Sequence, residues 1–159
     1  MRLIVMAMLL ATPALANGPR EMMFSSTGIC YLRLHSADHM ASNPAQRVET
    51  IALWPDSESW DDPSRIILRL LVQLRSKSDF LTAYACCEDG PDAMLFGLEG
   101  GAGTFTLSPK ADGGIVLDVG EFGMSFEGSQ GLVTVSGTSG DDRACVMPPV
   151  PADACPKAV

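Results

Sequence analysis

The 159-residue chain carries 11 Lys and Arg against 19 Asp and Glu, a formal net charge of −8. Phosphate backbones and anionic membrane surfaces are held by clustered cations, so this acidic balance argues against nucleic acid and charged membranes as partners. With 47% apolar residues, one domain's length of chain can bury a core without metals or many crosslinks.

Residues 1–16 read as an export signal. Arg2 gives a minimal positive start, residues 3–10 are apolar, and Pro13 breaks a helix ahead of Ala14, Leu15 and Ala16. Small residues at the last and third-last positions fit the signal-peptidase subsites, which places cleavage after Ala16. The apolar run is well short of the roughly 20 residues that span a bilayer, and no later run is longer. Cleavage would remove Arg2 and take the charge from −8 to −8 − 1 = −9. The expected layout is a signal over 1–16, a polar lead-in with some mobility over 17–28, one β domain over 29–147 and a Pro-rich tail over 148–159. The expected location is the periplasm or the exterior.

Cys30, Tyr31, Leu32, Arg33 and Leu34 read as a first strand. Residues 35–41 suit a short helix, capped by Ser36 and stopped by Asn43 and Pro44. Residues 48–54 form a second strand, with Val48, Thr50, Ala52 and Trp54 opposed to Glu49, Ile51 and Leu53. Pro55 and Pro63 border an acidic loop that holds Asp56, Glu58, Asp61 and Asp62. It lacks the alternating ligand spacing of a calcium loop, so it reads as a solvated segment.

Residues 66–87 form the organising hairpin. Ile66, Leu68, Leu70, Val72 and Leu74 alternate with Ile67, Arg69, Leu71, Gln73 and Arg75, leaving one face wholly aliphatic. That period of two fits a strand lying on a core; a helix would put Arg69 and Gln73 on the stripe of Ile66 and Leu70. Ser76, Lys77, Ser78 and Asp79 reverse the chain. Beyond Cys87, short apolar alternations are separated by turns at residues 88–92, 100–103, 109–114, 120–123, 128–131 and 137–142. Pro148, Pro149 and Pro151 then preclude regular structure in the tail. The fold class is all-β: an antiparallel up-and-down barrel of roughly eight to ten strands with one short helix, with a β-sandwich as the alternative.

The five cysteines, Cys30, Cys86, Cys87, Cys145 and Cys155, all follow the signal. An odd count leaves one thiol over in a monomer. Neighbours on a strand face opposite ways, so Cys86 and Cys87 look for distant partners. The favoured bridge is Cys30–Cys155, which ties the chain ends, with Cys145 pairing with Cys86 or Cys87. Glu88 and Asp89 beside the vicinal pair disfavour thiolate and hence redox catalysis.

His35 and His39 stand at i and i+4 with Asp38 beside them, a spacing that could hold a metal on a helix. Two ligands do not complete a site, and Ser36 stands where a zinc-protease helix has Glu. No cofactor is expected. The glycines from Gly97 to Gly103 are hairpin turns, since no Lys-Ser or Lys-Thr follows them. No nucleophile motif is present, and Glu88, Asp92, Glu99 and Glu121 near turns leave a carboxylate hydrolase only a distant alternative.

The residues Cys30-Tyr31-Leu32-Arg33, His39-Met40-Ala41, Asn43-Pro44 and Asp141-Asp142-Arg143 give a pattern that resembles small exported bacterial proteins of uncharacterised function. The resemblance implies export and brings no activity or site. The reading is a non-catalytic exported binding module. Its partner could be a basic protein, as for an inhibitor of a cell-wall hydrolase, or a small apolar ligand inside a lipocalin-like barrel.

Overall fold

Alternating side chains lay down a continuous antiparallel sheet, and breaks in the alternation set where it bends. The computed structural model describes residues 17–25, 28–56, 65–128, 131–136 and 142–157. Residues 1–16, where an export signal is expected, and most of the acidic loop after Asp56 lie outside the described residues. A short helix α1 (Pro19–Met23) leads into β1 (Ile29–Leu34), α2 (Ala37–Ser42) and β2 (Val48–Pro55). The organising hairpin follows as β3 (Ile67–Leu74) and β4 (Phe80–Asp89). Then come β5 (Met94–Leu98), β6 (Gly103–Pro109), β7 (Ile115–Gly128), β8 (Gly131–Val135), β9 (Ala144–Met147) and β10 (Pro149–Pro151).

Neighbours in sequence pair antiparallel from β1 through β8. A single rung, Thr82 opposite Glu127, joins β4 to β7 and closes β4, β5, β6 and β7 into a small barrel. Residues 144–151 complete a wider circuit. Their first half pairs with β7 (Cys145 opposite Leu117), their second with β1 (Val150 opposite Cys30). The fold is therefore an all-β barrel with extra strands, not a sandwich.

The tail forms a strand where its prolines predict none, and the bonding pattern shows why. Arg143 O accepts from Val119 N on β7, whereas Pro148 O accepts from Leu32 N and Ala152 N donates to Gly28 O on the β1 side. Odd-numbered residues thus face β7 and even-numbered ones face β1. Pro149 and Pro151 fall on the odd side beyond the reach of β7, whose first residue, Ile115, lies opposite Met147. Their missing N–H groups leave no ladder bond unmade.

A second correction concerns residues 120–123. They do not reverse the chain; β7 runs through them as one strand of 14 residues. Gly123 (φ 76°) takes a backbone conformation open to glycine, and the register to β6 slips between Gly103 and Phe105. A Cβ on Gly103 would overlap the carbonyl oxygen of Gly123, so two glycines let the strands cross at the bend.

The core has two layers. Leu68, Leu70 and Val72 from β3 meet Ile51, Leu53, Phe96, Phe105, Leu117 and Phe126 inside the barrel. On the outer face of β1, β2 and β3, a smaller cluster joins Cys30, Ala52, Leu71 and Cys155. The lead-in also contributes: Met23 and Phe24 are buried in the main core, with the Tyr31 hydroxyl donating to Met23 O at 2.6 Å. Its polar appearance conceals two apolar anchors.

Candidate functional site

The barrel's seam creates a cavity whose lining combines charge, hydroxyls and apolar surface. β5 and β6 are joined by a 3-10 turn at Glu99–Gly101, where Gly100 and Gly101 hold positive φ of 68° and 72°. The tip of this hairpin lies between β4 and β7, and Ser125 N donates to Ala102 O at 2.7 Å. Past the tip, the two strands meet at Thr82 and Glu127. The wedge leaves a cleft of about 300 Å³ on the outer wall, lined by Thr82, Ala83, Tyr84, Leu98 and Glu99 on one side. Ala102, Ser125, Glu127 and Leu132 line the other.

Two exposed carboxylates, Glu99 and Glu127, therefore face one space from different elements. Their surroundings are fixed by contacts outside the cleft. The Arg69 guanidinium lies 5.1 Å from the ring centre of Tyr84 and pairs with Asp56 at 2.9 Å, so its charge is met there. Ser125 Oγ and Thr134 Oγ1 are 2.7 Å apart, and Arg47 Nη1 donates to Thr134 O at 2.9 Å. Leu132 stands at the rim with 71% of its surface exposed. Chemically, the cleft offers anionic acceptors, hydroxyls that donate or accept, and an apolar lip. This volume is at the small end of ligand sites and suits one side chain or a small polar group.

Of the carboxylates that the sequence places near turns, Glu99 lines the cleft, while Glu88, Asp92 and Glu121 do not. Glu127 joins Glu99 without any such signal, because a turn at residues 120–123 would detach it from β7.

The histidines are brought together, though only His39 lies on the helix. Ser36 is the N-cap of α2, its hydroxyl accepting from His39 N at 3.1 Å, so His35 precedes the helix. The buried His35 ring stacks on that of His39 with centroids 4.5 Å apart. No group of three or more His, Cys, Asp or Glu that could hold a metal occurs among the described residues.

Cys30 and Cys155 are bridged, with Cα atoms 6.3 Å apart, as favoured from the sequence. The bridge expected from Cys145 to Cys86 or Cys87 is not formed. Cys86 and Cys87 lie on β4 opposite Gly97 and Phe96 of β5, whereas Cys145 lies on β9 opposite Leu117 of β7, so the thiols stand on strands that do not pair with each other. Burial, first of all, pushes the Cys87 thiol up, and Asp89 adds to it. A backbone bond with Ile66 and the guanidinium of Arg20, whose Nη2 is 3.5 Å from the sulfur, oppose that shift. The direction agrees with the sequence reading, but its leading cause is desolvation rather than the adjacent acids. Cys86 is exposed, with Arg65 Nη2 at 3.5 Å.

The barrel interior is packed. Phe96 and Phe105 stack with centroids 5.1 Å apart, and both are fully buried with Met94 and Leu107. No helix among the described residues is long and apolar enough to cross a membrane. Comparison of the chain with family models, curated proteins and solved structures returns no match.

Proposed function

We propose that the chain is an exported, non-catalytic binding module of the periplasm whose recognition site is the seam cleft. The observation that carries this reading is the convergence of Glu99 and Glu127, with the exposed Leu132, on a cleft held by rigid strands. Binding sites tend to be concave, with a few placed polar groups on a firm scaffold. Export rests on the signal-like residues 1–16, and a disulfide that joins the chain ends accords with an oxidising compartment. Of the two partner classes, the acidic charge and the anionic cleft favour a basic protein, such as a cell-wall hydrolase held in check. A carrier would have to lodge its ligand among the packed phenylalanines, which weakens that alternative.

The test is a periplasmic pull-down with wild-type protein beside Leu132→Arg, which puts a cation at the rim without touching the core. A partner held by the wild type and lost by the variant supports the reading. Equal capture by both moves recognition elsewhere on the surface. Turnover of a cell-wall substrate, abolished by Glu99→Gln, would replace binding with hydrolysis.

A further inference from the structure

We propose that two copies of the chain pair through β8, each adding its free strand edge to the other's sheet, antiparallel, with Leu132 opposite Thr134 of the second copy. The inference goes beyond the cleft reading and does not depend on what the cleft binds.

The edge is identified by where the backbone groups of β8 point. Ser125 N donates to Ala102 O on the hairpin-tip side of β7, and Thr134 is the residue opposite Ser125 on β8. Alternate pairs of an antiparallel ladder exchange bonds, so Thr134 turns its N–H and C=O away from β7. Arg47 Nη1 donates to Thr134 O at 2.9 Å, a bond from outside β7 that agrees with this orientation. Leu132, two residues earlier, opens to the same side, while Gly131, Val133 and Val135 bond to β7. Among the described residues no second strand pairs with β8. The tail makes an informative contrast. Its unpaired side is blunted by Pro149 and Pro151, which have no N–H to offer. Residues 131–135 contain neither a proline nor a charged side chain, the usual means of keeping an edge from pairing. Leu132, on that edge, is 71% exposed.

The occupant is a second copy because the edge complements itself. With a twofold axis at Val133, Leu132 faces Thr134 of the second copy and Thr134 faces its Leu132. Each of these pairs exchanges two backbone bonds, about four across the seam. Thr134 O can keep its bond to Arg47, since a carbonyl oxygen has two lone pairs. Val133 meets Val133 of the second copy at the axis, a β-branched cross-strand pair. Charge is complementary as well. Arg47 stands in the seam beside Thr134, and Leu132 of the second copy, across from it, has Glu127 of that copy on the next strand. Neighbouring strands are about 4.8 Å apart, so opposite charges come within side-chain reach on both sides of the axis. A five-residue strand makes a short seam, so the dimer is weak and forms at about 0.1 mM and above.

The experiment is sedimentation equilibrium of the exported protein from about 5 µM to 1 mM. A Cys86→Ser background keeps the exposed thiol from crosslinking copies. The mass should climb from one chain toward two as concentration rises. Hydrogen exchange by NMR then locates the seam. The amides of Leu132 and Thr134 should exchange fast in the dilute sample and about tenfold more slowly in the concentrated one, while Val133 and Val135 stay slow in both. Thr134→Pro removes an outward N–H, breaks no bond to β7 and alters no residue that lines the cleft. Each copy loses one seam bond, so the dimer should weaken by about tenfold or more while the spectrum stays well dispersed. Leu132→Lys, at an exposed position, sets a cation against Arg47 of the second copy and should weaken the dimer similarly, which covers a proline variant that fails to fold. A single-chain mass throughout the range, a dimer untouched by either substitution, or exchange at Leu132 and Thr134 that ignores concentration would overturn the proposal.

Discussion

The two faces of β3 should respond differently to truncation, and the difference should depend on the disulfide that ties the chain ends. Leu70 is fully buried in the barrel core, opposite Leu53 and Ala83 in register. Leu70→Ala removes transfer free energy and leaves a cavity ringed by strands that cannot collapse, so about 3–4 kcal/mol is expected. Leu71 is equally buried, but in the outer cluster with Cys30, Ala52 and Cys155. The tail covering it can settle inward, so Leu71→Ala should cost about 2–3 kcal/mol. Arg69 faces the same way as Leu71, with an ion pair to Asp56 and its guanidinium against Tyr84. Its side chain is 35% exposed, and Arg69→Ala should cost about 1 kcal/mol. Urea unfolding reads all three: at a slope near 2 kcal/mol per molar, Leu70→Ala shifts the midpoint by roughly 1.5–2 M. Repeating the series in Cys30→Ala/Cys155→Ala is the decisive step. Without the bridge the tail no longer holds its cover, so the cost of Leu71→Ala should fall by about 1 kcal/mol or more, while that of Leu70→Ala stays within about 0.5. A loss below about 1 kcal/mol at Leu70, or equal relief at both leucines, would refute the two-layer core.

Three further outcomes are expected. Asp142 accepts from Gln46 Nε2 (2.7 Å), Arg47 N (2.8 Å) and Val48 N (2.9 Å), clamping the start of β2 to the segment before β9. Asp142→Asn turns donors toward donors and should cost about 2–3 kcal/mol by urea unfolding, with faster hydrogen exchange at Val48; a silent substitution would mean the clamp is dispensable. Burial raises the Tyr31 phenol above its ordinary value of 10.0, so the folded state keeps that proton longer than the unfolded chain does. Its stability is intact below about pH 10 and lost as pH climbs through the raised value; Tyr31→Phe should flatten that part of the alkaline unfolding profile. Intact mass of an exported sample should begin at Asn17 with one disulfide, and mild alkylation should reach exposed Cys86 before buried Cys145. Retention of Met1 would remove the export argument.

Much of the barrel is legible because its strands advertise themselves locally. The alternation through Leu68, Leu70 and Val72 marks the inner face of β3, and turn residues place the hairpins. The cap at Ser36 and the stop at Asn43 place α2, which runs Ala37–Ser42. The disulfide between the chain ends is favoured because Cys30 and Cys155 bracket the domain. What local pattern does not carry is the partner of each strand's other edge. Pro149 and Pro151 argue against a strand, since a proline's tolerance depends on which side its neighbour lies. The helix α1 is hidden for the same reason: Met22, Met23 and Phe24 are a short apolar stretch in a polar run, and the burial of Met23 and Phe24 is set by Tyr31 and the core beneath them.

The cleft escapes a local reading for a reason that the sequence itself records. Ile115, Leu117 and Val119 are apolar at odd positions, whereas Met124 and Phe126 are apolar at even ones. A turn between two strands permits any phase, but so does a bulge within one strand, where an extra residue flips every later side chain to the other face. Gly120 and Gly123 fit either reading. A tight reversal at 120–123 would have paired Val119 with Met124. Instead both stay on β7, with Phe105 opposite Val119 and Gly103 opposite Met124 across the slipped register. Once the phase change is taken as a bulge, β7 becomes long enough to pass the tip of the β5–β6 hairpin. Its far end then meets β4 at Thr82, and Glu127 arrives beside Glu99. The same device acts in β2, where the register slips between Val48 and Thr50 and lets Val48 share the interior with Ile51 and Leu53. On β7 the shift of apolar phase also marks where the strand changes neighbours, from β9 to β8 on one edge and from β6 to β4 on the other, and that change builds the cleft.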